Sequence, residues 1–191
     1  MMQGFKKRGL IRIYSGVAVL LLLLIFNSGY TQDIANGQAT GTVLAGLIVE
    51  ATQDLQFGDL LQGVAKSVGP DDDVNSGIFT ITGNRGSGIS VYLTLPSYIA
   101  LTDGSDRMPI SFGITDAAVD TAGATPSTIL PADGFIDEDP HNLPAGIQVG
   151  SGGVGNNQTR IYLGGRVTPA VDQTAGNYFG DIICEVAYNG T

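Results

Sequence analysis

The chain has no tryptophan, one cysteine and one histidine in 191 residues. A single cysteine, Cys184, excludes an intrachain disulfide. One cysteine with one histidine, His141, excludes a structural zinc site of the usual kind, and no metal or other cofactor is expected. Charged residues are sparse at 14%, and basic ones are the scarcer: nine Lys and Arg against eighteen Asp and Glu, a net charge of −9. Nucleic-acid binding needs a basic surface, so no nucleic-acid partner is expected. The Ala/Glu/Lys/Leu-rich mix of a helical bundle is also missing. What is there is 43% hydrophobic residues and 28 glycines. The first builds a core and excludes wholesale disorder. The second suits short strands joined by many turns.

Long apolar runs are missing as well. The run Val17–Phe26 is too short to cross a bilayer, which takes about 20 residues. Lys6, Lys7, Arg8 and Arg12 precede it, and Asn27-Ser28-Gly29-Tyr30-Thr31 follows. This order predicts a secretory signal peptide over residues 1–31, with Gly29 and Thr31 at the −3 and −1 positions. An uncleaved N-terminal anchor is the alternative. Beyond the leader, no stable membrane span is expected. The mature chain keeps Lys66, Arg85, Arg107, Arg160 and Arg166 against all eighteen acids, a net charge of −13. Solubility through self-repulsion explains that charge, and cation binding is the competing reading.

Period-two patterning dominates the rest. Strands are expected at 44–51, 54–58, 78–82, 89–95, 98–101, 109–114, 160–167 and 178–188. Pro96 should end its strand, since proline cannot donate to a central ladder. About seven to nine strands between turn signals predict an all-β fold, an antiparallel β-sandwich over residues 44–191. Residues 116–144 read as a long excursion from it, with one helical turn within 116–124.

The most informative stretch is 176–188. Strand side chains alternate, so Tyr178, Ile182, Cys184, Val186 and Tyr188 share one face, with Gly176 and Gly180. The other face is mixed: Phe179, Asp181, Ile183, Glu185 and Ala187. Such a strand is expected at a sheet edge, where free N–H and C=O groups can pair with another chain.

A glycine at 176, a tyrosine at 188 and alternating apolar residues between them resemble the C-terminal motif of chaperone–usher pilus subunits. Leu55-Gln56-Phe57-Gly58, Phe79-Thr80-Ile81-Thr82-Gly83, Leu93-Thr94-Leu95-Pro96, Leu163-Gly164-Gly165 and Ala175-Gly176-Asn177-Tyr178 follow the order seen in spore-coat-protein-U-like domains. They resemble more closely a related bacterial family of secreted domains with no assigned activity. The resemblance covers about residues 40–189. It implies an immunoglobulin-like sandwich lacking its last strand, completed by a neighbour's N-terminal extension. It also implies like or related subunits as partners, with a periplasmic chaperone among the candidates. The location it implies is the periplasm in transit, then the cell surface or medium. Residues 32–43 are the candidate extension, with Ile34, Ala39, Gly41 and Val43 as candidate donor positions. Large apolar anchors are few there, and a frayed terminus is the competing reading. A donor reaching on through Ala45, Leu47 and Val49 is better supplied.

Other constellations fail on chemistry. Gly150-Ser151-Gly152-Gly153-Val154-Gly155 fits G-x-G-x-x-G, but a strand pattern follows instead of the helix whose N-terminus would hold a pyrophosphate. Asp71-Asp72-Asp73-Val74-Asn75-Ser76 begins like a calcium loop but lacks glycine at position six, and Thr82 stands where a bidentate carboxylate is needed. A nucleophilic triad would have to use His141, which sits beside Pro140 in a loop. No enzymatic activity is expected. The sequence therefore points to a secreted, non-catalytic structural subunit assembling by β-strand addition. The alternative is a self-contained surface adhesin or carbohydrate-binding module.

Overall fold

The computed structural model describes residues 38, 40–128, 134–150 and 156–190. The expected signal peptide, most of the candidate extension (including Ile34 and Ala39) and most of the glycine-rich 150–155 motif lie outside them. The chain divides into two compact units, Met1–Thr42 and Val43–Thr191. The second is all-β and antiparallel, a sandwich of short strands. Among the described residues, the only helical element is a 3-10 turn at Pro126–Thr128.

Among the described residues there are twelve strands: β1 (Ile48–Gln53), β2 (Lys66–Val68), β3 (Gly77–Thr82), β4 (Ile89–Thr94), β5 (Tyr98–Leu101), β6 (Arg107–Ser111), β7 (Ala117–Asp120), β8 (Gly134–Glu138), β9 (Gln158–Leu163), β10 (Gly165–Val167), β11 (Tyr178–Phe179) and β12 (Ile183–Tyr188). One sheet has the order β1-β3-β9-β7-β8. A second has the order β11-β5-β6-β10-β2, and β12 pairs with β4. From Tyr178 opposite Leu101 to Ile183 opposite Thr94, one side advances five residues and the other seven. The surplus falls at Leu95-Pro96-Ser97, where proline interrupts the ladder. β11–β12 is thus one margin running along β4–β5, with a break at Gly180–Ile182.

The layers meet through alternating apolar residues. Phe79, Ile81, Val119, Ile161 and Leu163 from the first sheet pack with Ile89 and Val91 of β4. A second cluster holds Met108, Ile110 and Val167, with Leu55, Phe57, Ile99 and Tyr178 against it.

The strand count exceeds the expected seven to nine because two expected strands are broken and others were missed. The 160–167 strand divides at Gly164: β9 lies in the first sheet and β10 in the second. A Cβ on Gly164 would stand 2.5 Å from the Val68 carbonyl oxygen, so only glycine lets the chain change layers there. The expected strand at 54–58 joins no sheet; the Gln56 N–H donates to the Asn75 carbonyl at 2.9 Å, and Leu55 and Phe57 pack on the second cluster. The expected 116–144 excursion is corrected most. Ala117–Asp120 is an interior strand, buried at every residue, and Gly134–Glu138 pairs with it. No alternation is visible in β7 because its outer face is also covered. Tyr162 Oη donates to the Ala124 carbonyl at 2.6 Å, holding the following segment over the sheet.

Replacing Gly164 with Ala is expected to destabilise the domain by about 1–3 kcal/mol, the usual cost of overpacking. Urea denaturation should show a lower midpoint at an unchanged slope. An unchanged midpoint would contradict the layer-crossing role.

Candidate functional site: a groove beside the β11–β12 margin

A groove of about 1180 Å³ opens between the two layers. One wall is Ala51 with residues 53–62, and the other is residues 173–182. Phe79, Ile99, Met108 and Ile110 line its floor. The two walls come from opposite layers, since β1 is an edge of the first sheet and β11 an edge of the second, with β12 continuing into its pair with β4.

Both ends of the groove are tied. At one end, Gln62 Nε2 donates to the Gln173 carbonyl at 2.6 Å, and the Gly63 N–H to the Ala170 carbonyl at 3.0 Å. Beyond the other, Tyr188 Oη donates to the Ala45 carbonyl at 2.8 Å and accepts the Asn84 N–H at 2.7 Å. The sequence reading placed Tyr188 on the inward face but had no signal for these partners.

The 173–178 wall is held by a dense polar network. Asp106 Oδ2 accepts from the Thr174 N–H at 2.8 Å, Gln173 Nε2 at 2.8 Å and Tyr178 Oη at 2.9 Å. Asp106 Oδ1 accepts the Arg107 N–H at 2.8 Å. Gln173 is buried, and its amide oxygen accepts the Ala170 N–H. Hydrogen bonds from Thr174, then Tyr178 and Arg107, hold the Asp106 carboxyl well below the usual carboxylate range. In the sequence Asp106 reads only as part of a wet acidic loop with Asp103, and nothing marks Gln173.

The residues singled out on the margin keep their expected sides. Tyr178 packs on the second cluster, and Ile182, Cys184, Val186 and Tyr188 pack on the first, all only partly buried. The glycines have a reason within the chain. A Cβ on Gly176 would lie 2.6 Å from Leu101 Cδ2, and one on Gly180 2.8 Å from Ile99 Cγ2. Their missing side chains are filled by β5. Val43 is almost fully exposed, and Gly41 has open space around it.

Burial, with Glu185 beside it, pushes the Cys184 thiol up to about 11, an inert thiol. His141 is exposed, with Nδ1 3.2 Å from Asp139 Oδ1. Asp72 accepts the N–H groups of Val74 and Asn75 within the acidic turn, and Asp73 accepts from Ser127. Among the described residues no group of three His, Cys, Asp or Glu side chains is placed to hold a metal ion. A second cleft of about 350 Å³ lies beside Arg160 and Tyr162. Burial, then Asp120, pushes the Tyr162 hydroxyl up to about 12. None of the described helices is long and apolar enough to cross a membrane.

Comparison with known proteins yields no match: no family model, curated protein or solved structure corresponds to this chain. The groove is read from its own geometry.

Asp106 releases its proton more readily folded than unfolded. Its contribution is therefore complete above the unfolded value near 4 and fades as pH falls below it. Asp106→Asn should lower the melting temperature at pH 7, and the gap from the unsubstituted protein should narrow in acid. A gap independent of pH would contradict the network's role.

Proposed function

We propose that this chain is a secreted, non-catalytic structural subunit that assembles by β-strand addition at the β11–β12 margin. One observation carries the reading: a groove opens beside β11, and β11 and the β12 strand that follows it are each paired on one side only among the described residues. Edge strands are usually blunted by brevity, bulges or charge. β2 has three residues, β8 carries Asp137 and Glu138 and pairs irregularly, and β1 is bulged near Gln53. β12 pairs over six residues without a bulge, and its outer face carries exposed Ile183. Added backbone would satisfy the outward N–H and C=O groups and cover the half-buried inward face. The resemblance of the short motifs to those of pilus and spore-coat-U-like subunits supports the same reading, as does the leader pattern at 1–31.

The donor in this reading is the 32–43 extension of a second copy. Deleting residues 32–43 from the mature chain should abolish polymers and leave a folded monomer. Analytical ultracentrifugation with thermal melting measures both. Polymers that survive the deletion would remove the donor role.

A further inference from the structure

Charge is divided unevenly between the layers. The five strands of the second sheet contain no Asp or Glu, in a chain with eighteen. They contain Lys66, Arg107 and Arg166, three of the five basic residues beyond the leader pattern. Exposed aromatic rings are divided as unevenly. Among the described residues the exposed Phe and Tyr side chains are Tyr92, Tyr98 and Phe179, on β4, β5 and β11. Met108, Ile110 and Val167 are buried in the second cluster, and Ile99 and Tyr178 pack against it. The residues alternating with them, Phe179, Tyr98, Arg107, Pro109 and Arg166, therefore stand together on the outer face.

One row across this face leaves room for a ligand. Phe179 lies opposite Ala100, and Ala100 opposite Arg107. The small middle residue makes a notch between a ring that is 64% exposed and a guanidinium, their strands two spacings or roughly 10 Å apart. Arg107 Cζ lies 4.5 Å from the Tyr98 ring centroid. Stacking holds the guanidinium by its flat side and leaves the N–H donors on its edge free. Among the described residues neither the Arg107 nor the Arg166 guanidinium has a hydrogen bond or an ion pair. Arg166 is opposite Ser111, which places it about 14 Å from Arg107 along the sheet.

We infer that this face binds an acidic polysaccharide, with one uronic-acid ring seated over Ala100. The C–H groups of a pyranose ring carry partial positive charge and pack on the negative face of the Phe179 ring. The ring's carboxylate takes the edge donors of Arg107, whose planar fork matches it. Arg166 takes a second carboxylate further on, so the ligand is a chain rather than a single sugar. No acid on these strands opposes it. A nucleic acid fits poorly, because its affinity comes from many phosphates neutralised together, and this face offers two free cations on a chain of net −13. The site does not depend on strand addition, which uses the edge of β11 and leaves this face open.

The test titrates the mature full-length chain with polygalacturonate, its fully methyl-esterified form and single-stranded DNA, by calorimetry. Thermal melting monitors folding. Polygalacturonate should bind, and the uncharged ester and the DNA should bind at least tenfold more weakly. Arg107→Gln should weaken polygalacturonate binding about tenfold, the loss of a charge-assisted hydrogen bond. Ala100→Leu, which fills the notch, should weaken it as much. Lys66→Gln should bind like the unsubstituted chain, since its Nζ reaches the Asp59 carbonyl off this face. If Ala100→Leu lowers the melting temperature, Phe179→Ala replaces it, because that ring is exposed. Absence of polygalacturonate binding, equal binding of the ester or the DNA, or undiminished binding by Arg107→Gln or the notch variant would overturn the inference.

Discussion

A strand hydrogen-bonded along one side only leaves alternate N–H and C=O groups without a protein partner, and that constraint governs this domain. Sheets in a sandwich must end somewhere, and each end needs protection. β1 is bulged, β2 is three residues long and β8 is irregular and charged. β12 pairs regularly with β4 over six residues, though it carries Glu185, and two-residue β11 before it borders the groove. The proposed assembly follows from that asymmetry rather than from any catalytic or metal-binding group.

The groove is held open by hydrogen bonds at its ends. Asp106, Gln173 and Tyr178 fix one wall, Gln62 ties it to the other, and Tyr188 joins the edges beyond. A rim fixed before binding loses less conformational entropy when a strand arrives.

Much of this architecture was legible in the chain, for definite reasons. β4 and β12 alternate strictly because one face is packed and the other wet, so their faces read directly. β7 was hidden because Ala117-Ala118-Val119-Asp120 is covered on both sides and has no polar face to alternate with. β9 and β10 read as one strand because Gly164 changes layers without changing the apolar pattern. The groove was the least legible feature. Its walls lie more than a hundred residues apart in sequence and meet only through the packing of both sheets. Asp106 was equally hidden, since a lone loop carboxylate looks solvated until Gln173 and Tyr178 are brought to it.

Hydrogen exchange along residues 178–188, in monomer and in polymer, tests the central claim most directly. An edge strand exposes alternate amides, so part of this segment should exchange quickly in the monomer. The account predicts that those amides become protected in the polymer while the ones bonded to β4 and β5 are slow in both. Equal exchange in the two states, or full protection in the monomer, would contradict it.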